Sequence, residues 1–334
     1  MDNKSLPKVS LLIAMRNESK RIGACIESIL KQDYPADKIE ILVMDGKSTD
    51  DSWNIVEHLL AGRAEHKLLS NPAMYQSHGW NLGIVNSSGA IIGIVSAHSL
   101  LETDYVSKAV ETLARTGVDM VGGPMTAVGT GYISTAISIA TSSPFGVGGA
   151  RFHYASQEEE MDTVYMGLCH RSVYERIGGF DEEMIRNQDD ELSYRLRKAD
   201  GRIVCNPQIR SHYYNRASLS SFWKQYFQYG WYKVRVLQKH PRQMRSRQFI
   251  PPAFVLALIV SGLITLTPIL RSLSFVVPLL YLLINLLASL YTASMRGWKY
   301  LFILPVVFVI LHLSYGLGFL GGLFRFWDRW ERGS

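Results

Sequence analysis

Two acidic sites in the sequence could do chemistry, and each also has a structural explanation. Asp45 ends the apolar run "IEILVMDG", where a carboxylate can accept hydrogen bonds from a nucleotide's base or ribose, or can cap the next helix. Asp189, Asp190 and Glu191 open a helical segment, and negative charge stabilises a helix N-terminus. One of these three could instead be a general base that removes a proton from an acceptor hydroxyl. Residue chemistry alone leaves both alternatives open.

The segment "GAIIGIVSAHS" places small and polar residues at the end of an apolar strand. Open α/β sheets bind ligands at the carboxyl ends of their strands, so Ser96, Ala97 and His98 mark a candidate site. A neutral imidazole can bind a divalent metal and suits Mn²⁺ better than Mg²⁺, which prefers oxygen ligands. The alternative is a histidine that makes only structural hydrogen bonds.

Secondary-structure elements must position these residues. Strand-like and helix-like segments alternate over about the first 215 residues. The pattern predicts elements at residues 8–15, 21–31, 39–46, 51–60, 66–72, 77–89, 90–96 and 105–115. Buried strands that alternate with helices predict a mostly parallel sheet covered on both faces. Asn17, Asp45 and Ser96 would then meet at its carboxyl edge. The Gly-, Ser- and Thr-rich stretch 122–154 predicts a mobile loop at the mouth of the site.

Three long apolar runs after residue 248 predict membrane helices. Phe249–Leu270, Ser274–Ala293 and Tyr300–Phe324 each reach the roughly 20 residues that a crossing helix needs. The basic segment Lys233–Gln248 precedes them, which favours the cytoplasmic side and anionic membrane lipids as partners rather than a nucleic acid polymer. We therefore expect a multi-pass protein of the cell (inner) membrane with its catalytic domain in the cytoplasm. Three crossings would leave the tail from Arg325 outside, unless that tail lies along an interface.

The segment Ser218–Val236 is amphipathic and rich in Phe, Trp and Tyr. A helix of this kind beside basic residues is typical of the membrane interface. An aromatic stripe that packs in a protein core is the alternative. With the basic residues that follow, it would form a juxtamembrane segment over residues 216–248.

Four stretches in this order resemble a known enzyme family: "VSLLIAMRNESKRIGACIESILKQDYP", "ILVMDGKSTDDS", "NLGIVNSSGAIIGIVSAHS" and "GGFDEEMIRNQDDELSYRLRKADGRI". They resemble the inverting family 2 glycosyltransferases with a GT-A fold. The stretches "KHPR" and "HLSYGLGFL" make the chain most similar to the membrane-anchored, succinoglycan-biosynthesis-type branch. The resemblance implies an α/β, GT-A-like (Rossmann-related) catalytic domain over residues 1–215, the juxtamembrane segment 216–248, and a transmembrane region of about three helices over 249–334.

The resemblance also implies which residues bind the nucleotide sugar. Asp45 matches the first aspartate of the family's "DDGSTD" element, whereas Gly46 and Lys47 depart from it. Ser96–His98 falls on the family's D-x-D element, so His98 would be the metal ligand while Ser96 lacks the usual carboxylate. The residues expected to border the nucleotide are Ala14, Asn17, Glu18, Asp45, Asn81, Ser96 and Ala97.

On the acceptor side, Asp189 matches the catalytic base of the family's E-D pair. Asp190 is the second catalytic candidate, and Gln188 replaces the family's glutamate. The Q-x-x-R-W element of related synthases is degraded here to Gln225, Gln228 and Tyr229.

The implied reaction moves a hexosyl group from a nucleotide-diphosphate sugar to an acceptor hydroxyl and inverts the anomeric centre. A UDP-sugar is the expected donor, and a lipid-linked glycan in polysaccharide or glycolipid synthesis is the expected acceptor. A divalent cation, Mn²⁺ or Mg²⁺, would neutralise the leaving diphosphate, and the serine at position 96 predicts weak metal binding. Two alternatives stay open: a catalytically impaired assembly partner in a polysaccharide complex, and a processive polysaccharide synthase.

Overall fold

The computed structural model describes residues 6–148, 155–215 and 218–330 of the 334-residue chain. Its strands are β1 (Val9–Met15), β2 (Ile39–Asp45), β3 (Lys67–Ser70), β4 (Ile91–Ser96), β5 (Ser99–Leu101), β6 (Met120–Gly123), β7 (Thr126–Val128), β8 (Glu159–Glu160), β9 (Tyr165–His170), β10 (Ile203–Cys205) and β11 (Ser211–Tyr214). Its helices are α1 (Ile22–Leu30), α2 (Ser52–Leu60), α3 (Gln76–Asn86), α4 (Tyr105–Thr116), α5 (Tyr132–Thr141), α6 (Pro144–Val147), α7 (Arg171–Ile177), α8 (Gln188–Lys198), α9 (Leu219–Lys239), α10 (Ile250–Ile264), α11 (Val276–Arg296) and α12 (Leu304–Arg325).

Eight of these strands form one sheet in the order β3-β2-β1-β4-β9-β6-β10-β8. Strands β3, β2, β1 and β4 are parallel, as are β6 and β10, whereas β9 and β8 run antiparallel to their neighbours. The parallel half forms because β1, β2 and β3 are each followed by a helix that returns the chain to the starting edge. The predicted, mostly parallel α/β sheet is confirmed.

Alternate residues of the central strands face two separate hydrophobic cores, which explains why these strands are apolar throughout. On β1, Leu11 and Ile13 belong to the core that includes side chains of α1, α2 and α4. Leu12 belongs to the core on the other face, which includes side chains of α3, α7 and α8. A slip of one residue would exchange these two sets, so burial on both faces fixes the strand register.

The chain divides into two compact units. The first comprises Met1–Thr126 with Arg151–Tyr213 and contains the large sheet, so we call it the sheet unit. The second comprises Ala127–Ala150 with Tyr214–Ser334 and is largely helical, so we call it the helical unit. The functional boundaries that the sequence predicts at residues 215 and 248 stay predictions.

The helical unit contains two helices, α5 and α6, within the stretch predicted to be a mobile loop, so that prediction is wrong there. In α5, the Ser138 hydroxyl donates to the Ser134 carbonyl at 3.0 Å, and the Thr141 hydroxyl donates to the Ile137 carbonyl at 2.9 Å. These bonds satisfy polar groups inside the helix, so a Ser- and Thr-rich sequence can be buried. Residues 149–154 of the predicted loop lie outside the described residues.

Three helical segments of the same unit are long and apolar enough to cross a membrane: Ser246–Ile264, Pro268–Arg296 and Leu304–Arg325. The predicted set of three apolar helices is confirmed. The aromatic helix α9 precedes them, and its Phe222 lies in one core with Phe308 of α12. The core-packing alternative for the aromatic stripe therefore holds at Phe222.

Candidate functional site

The carboxyl ends of four neighbouring strands stand level in the sheet unit. Asp45 of β2 is opposite Met15 of β1 and Ser70 of β3. Ser96 of β4 is opposite Ala14, one residue before Met15. Three of the predicted site residues therefore lie along one edge of the sheet, where open α/β sheets bind their ligands.

Unusual backbone conformations are concentrated at this edge. The described non-glycine residues with positive φ are Asn17, Lys47, Met74, Met166, Asn187 and Asp200. Asn17, Lys47 and Met74 lie in the loops after β1, β2 and β3, and the Met166 sulfur is 3.3 Å from the Ser96 amide nitrogen. Such conformations cost free energy and are typical of functional sites. The residues with positive φ and the predicted site residues therefore lie at the same edge of the sheet.

Two loops at this edge, residues 16–21 and 46–52, are joined by hydrogen bonds, and we call them the paired loops. Bonds of 2.8–3.1 Å join Asn17 to Ser48 and Thr49, Glu18 to Ser52, and Ser19 to Asp50. Short side chains with hydroxyl, amide or carboxylate groups suit such local links to backbone amides. Three consecutive residues of the first loop are anchored in this way, which sets the direction of the Glu18 side chain.

Asp45 is only 5% exposed and closes the turn of the second loop. Its two oxygens accept hydrogen bonds from the backbone N–H of Ser48 at 3.0 Å and from the Ser48 hydroxyl at 2.5 Å. The carboxylate therefore does not cap α2, which begins later, at Ser52. Carboxylate oxygens can accept more than one hydrogen bond each, so positions remain for a ligand. The contact of Asp45 with a nucleotide stays a prediction.

Glu18 and His98 meet at the end of β4. His98 Nδ1 lies 3.3 Å from Glu18 Oε1, and each side chain is 23% exposed. The imidazole also packs edge-on against Tyr213, with ring centroids 5.0 Å apart. The two side chains form an ion pair when the histidine is protonated, and both are potential ligands of a divalent cation when it is neutral. The sequence predicts both as site residues but not their contact, because they are 80 positions apart.

Ser96 and Ala97 form the floor of this corner, and Ala97 is buried. Behind them the hydroxyls of Tyr165 and Ser99 are 2.7 Å apart. Burial raises the pKa of Tyr165 well above its usual value, so the phenol stays neutral and remains a hydrogen-bond donor. Ser96 therefore lies near the neutral, hydrogen-bonded hydroxyl groups of Tyr165 and Ser99.

The polar residues in the first turn of α8 have different roles. Glu191 is 1% exposed and accepts two hydrogen bonds from Arg195, at 2.7 and 2.9 Å. This bidentate ion pair makes Glu191 a structural acid. Gln188, also buried, donates to the Ile185 carbonyl at 2.8 Å. Asp189 and Asp190 are left as the candidates for proton transfer.

Asp189 and Asp190 are both half-buried in the first turn of α8. The backbone N–H of Asp190 donates to Asp189 Oδ1 at 2.9 Å. Asp189 also lines a small cavity together with Ile94 of β4 and Gly167 of β9. Since Ile94 is two residues before Ser96, α8 places this acid next to the strand that ends at the candidate site.

Arg195 is a positioning residue that the sequence reasoning missed. Beyond its acidic partner, it donates to the carbonyls of Ile177 and Gly179 at 2.5 and 2.7 Å. Asn81 holds the next residue, Phe180, by exchanging hydrogen bonds of 2.7 and 2.9 Å with its backbone. The nucleotide-binding role of Asn81 stays a prediction, since its amide is engaged here. An acid and an arginine four residues apart on a helix are the signal that could have identified Arg195.

Comparison with known proteins gives four findings. Residues 10–178 match the family described as Glycosyl transferase family 2. A dolichyl N-acetyl-alpha-D-glucosaminyl phosphate 3-beta-D-2,3-diacetamido-2,3-dideoxy-beta-D-glucuronosyltransferase of Methanococcus voltae is 29% identical, over 95% of this chain and 97% of its own. Succinoglycan biosynthesis protein ExoA of Rhizobium meliloti is 30% identical, over 76% of this chain and 78% of its own. The mannosyltransferase PcManGT of Pyrobaculum calidifontis, solved with GDP-Man and Mn²⁺, is similar in structure, with a TM-score of 0.59, 17% identity, and coverage of 94% and 88%.

Proposed function

The chain belongs to glycosyl transferase family 2 and is a glycosyltransferase. We propose that it transfers a sugar from a nucleotide-diphosphate sugar to the hydroxyl group of a lipid-linked acceptor, with inversion of the anomeric centre. The resemblance found in the sequence is confirmed, and the likeness to PcManGT confirms the GT-A fold. The donor, the acceptor and the stereochemistry are the proposed part.

One observation carries the proposal: the polar ends of β1, β2 and β4 lie along one edge of the sheet unit, and an acid of α8 lines a cavity against β4. Asp189 lines a cavity together with Ile94 of β4. Ile94 is two residues before Ser96, which ends that strand. In the proposed reaction, Asp189 accepts the proton of the acceptor hydroxyl. The acceptor oxygen then bonds to the anomeric carbon while the sugar–phosphate bond breaks, and the electron pair leaves with the diphosphate.

The Glu18–His98 pair fits the divalent cation that the family implies. One carboxylate oxygen and one imidazole nitrogen, 3.3 Å apart and partly open, are donors that suit Mn²⁺ better than Mg²⁺. When bound, the cation would neutralise negative charge on the leaving diphosphate. Among residues 6–148, 155–215 and 218–330 no group of three or more His, Cys, Asp and Glu side chains could hold a metal, so further ligands would come from the diphosphate and water. Glu18 then supplies the carboxylate that Ser96 lacks.

The paired loops form the donor side of the proposed site. Asp45 and Asn17 hold the two loops in place, and Ala14 and Ala97 have small side chains beside them, so a nucleotide could approach the backbone closely. We expect a UDP-sugar donor. Lys47, which stands where the family element has a glycine, adds positive charge to the second of the paired loops and would favour departure of the diphosphate.

A lipid-linked acceptor is supported by the relatives and by the apolar helices. The Methanococcus voltae relative is named for a dolichyl phosphate-linked acceptor, and the chain is similar to it over almost its full length. A chain with three apolar helices is anchored in the cell membrane, with the sheet unit in the cytoplasm on the side of the basic segment before α10. An enzyme and an acceptor that share one membrane surface meet at a lower entropic cost.

The test is transfer by the purified full chain, with a panel of nucleotide sugars and lipid-linked acceptors, with and without Mn²⁺. We expect transfer of one sugar from a UDP-sugar, with inverted product stereochemistry determined by NMR. A ladder of products would support the processive synthase. Absence of both transfer and donor hydrolysis across the panel, by a folded chain, would support the impaired assembly partner and overturn the proposal.

A further inference from the structure

The helices α9 and α12 run side by side in the same direction. Their contacts advance together along both helices: Phe222 with Phe308, Phe227 with Gly318, Trp231 with Gly322, and Gln238 with Phe326. Two helices paired over this length share one orientation relative to a membrane. The position of α12 therefore depends on where α9 can lie.

The two backbones are in close contact at three glycines. A Cβ atom at Gly318 would come within 2.1 Å of the Phe227 carbonyl oxygen, and one at Gly322 within 2.5 Å of the Trp231 carbonyl oxygen. On α9, a Cβ at Gly230 would meet the Tyr315 carbonyl oxygen at 2.1 Å. Small residues four positions apart permit this close approach between apolar helices.

One stripe in the N-terminal half of α9 is polar and exposed. Ser220, Lys224 and Gln228 are exposed at a spacing of four residues, which places them in one stripe. An exposed lysine and glutamine near the centre of a helix are unfavourable in hydrocarbon. They are favourable at the boundary between headgroups and water, which is where an amphipathic helix lies. Since α12 is paired with α9, it belongs at the same level.

The exposed surface of α12 suits that position and differs from that of the other two apolar helices. Its most exposed apolar residues, Val306, Leu317 and Phe324, recur at helical spacing and form one stripe. In the window of highest hydropathy, 44% of its residues are buried, against 17% in each of Ser246–Ile264 and Pro268–Arg296. Those two segments are apolar around most of their circumference, as expected of lipid-surrounded crossings.

The distribution of basic residues favours two crossings over three. Arg242, Arg245 and Arg247 precede α10, Arg296 ends α11 and Lys299 follows it, whereas the connection between α10 and α11 carries one basic residue, Arg271. Basic residues collect on the cytoplasmic side of membrane helices. Arg325 ends α12, and Arg329 and Arg332 follow it in the sequence. A third crossing would place these three arginines on the opposite side from the others.

The C-terminal end of the pair has the chemistry of a headgroup-binding surface. The guanidinium groups of Arg235, Arg325 and Arg329 each lie 5.9 Å from the centre of the Phe326 ring. Trp327 and Trp330, in the same segment, are exposed. Arginine is well suited to phosphate oxygens, and tryptophan is enriched at the level of the headgroups.

We propose that α9 and α12 together lie in the headgroup layer of the cytoplasmic leaflet, that only α10 and α11 cross the membrane, and that Arg325 and Arg329 bind phosphates of anionic phospholipids. The C-terminal segment is then on the same side of the membrane as the residues before α10. This arrangement is independent of the reaction proposed above.

Single-cysteine labelling of the full chain in intact cells tests the number of crossings. Cys25, Cys169 and Cys205 are buried at 0% exposure, so the background with a membrane-impermeant maleimide is low. Ser246→Cys marks the side before α10, and Thr267→Cys marks the connection between α10 and α11. We expect Asp328→Cys to react as Ser246→Cys does, only after permeabilisation. Reaction of Asp328→Cys together with Thr267→Cys in intact cells would overturn the proposal.

The lipid partner is tested separately, by counting phosphatidylglycerol molecules retained on the purified full chain from mixed phosphatidylcholine and phosphatidylglycerol nanodiscs, using native mass spectrometry. Replacing both Arg325 and Arg329 with Gln should weaken phosphatidylglycerol binding roughly tenfold, because each basic residue near an anionic surface contributes. Arg63→Gln, which replaces an exposed arginine of the sheet unit, is the control and should retain as much as the wild type. Equal retention by the double variant and the wild type would overturn the assignment of the two arginines.

Discussion

The two sides of the proposed site are held by different kinds of interaction. The paired loops depend on several exposed or part-buried hydrogen bonds, such as Asn17 with Thr49 and Ser19 with Asp50. The start of α8 depends on one buried ion pair, Glu191–Arg195. A set of weak links tolerates the loss of one member, whereas removing one partner of a buried pair leaves an unpaired charge. This difference fits a donor side that adapts to a ligand and an acceptor side that fixes a base.

The largest effect should come from the proposed base. Asp189→Asn should lower transfer by at least about 100-fold, since general-base catalysis contributes about 10²–10⁴-fold. Donor binding, measured by calorimetry with UDP, should be unchanged, because the paired loops are untouched. Asp190→Asn is the matched control and should keep most of the activity. If Asp190→Asn is the inactive variant and Asp189→Asn is active, the base is Asp190.

The second effect concerns the ion pair itself. Arg195→Met should lower the free energy of unfolding by about 3–5 kcal/mol, because it removes the bidentate partner of the buried Glu191 carboxylate. Arg176→Met removes the partly exposed pair with Asp119 and should cost at most about 1 kcal/mol. The thermal midpoint of the detergent-purified chain measures both. Equal thermal midpoints for the two variants would contradict the view that a single buried ion pair holds the acceptor side of the site.

The sequence predicts the sheet that carries the site better than the contacts between its loops, for a physical reason. Strands such as β1 and β4 follow from local apolar runs, and the position of Asp45 and Ser96 at one edge follows from strands that run parallel. The contact of Glu18 with His98 depends on two loops from distant parts of the chain, which no local pattern encodes. Helix α5 has Ser and Thr where a loop is expected, and it forms because Ala136, Ile137 and Ala140 pack in a core of the helical unit while its hydroxyls bond to carbonyls within the helix. Local periodicity therefore predicts the frame, and long-range packing decides the details of the site.

The third prediction concerns the binding of a divalent metal ion by the Glu18–His98 pair. Glu18→Gln and His98→Ala should each weaken Mn²⁺ binding at least about tenfold, because each removes one of two protein ligands. Electron paramagnetic resonance of Mn²⁺ with UDP measures this without any turnover. His212→Ala is the control, since His212 forms a second histidine–glutamate pair, with Glu102 at 2.7 Å. Unchanged Mn²⁺ binding in both site variants would make the pair a structural contact.

The smallest effect should come from a single link of the paired loops. Hydrogen bonds from Ser52 and Ser19 lower the pKa of Asp50 far below its usual range. Because the pKa is lower in the folded state, the stability that these links contribute is fully present above the unfolded-state pKa of about 3.9 and is lost as pH falls from there towards the folded-state pKa, so at pH 7 the links are intact. Asp50→Asn keeps acceptor capacity on one oxygen only and should raise the KM for the donor roughly threefold, with kcat unchanged. Asp51→Asn, at the neighbouring exposed position, should change neither parameter. A loss of activity in Asp50→Asn as large as that in Asp189→Asn would contradict the view that the donor side rests on many replaceable links.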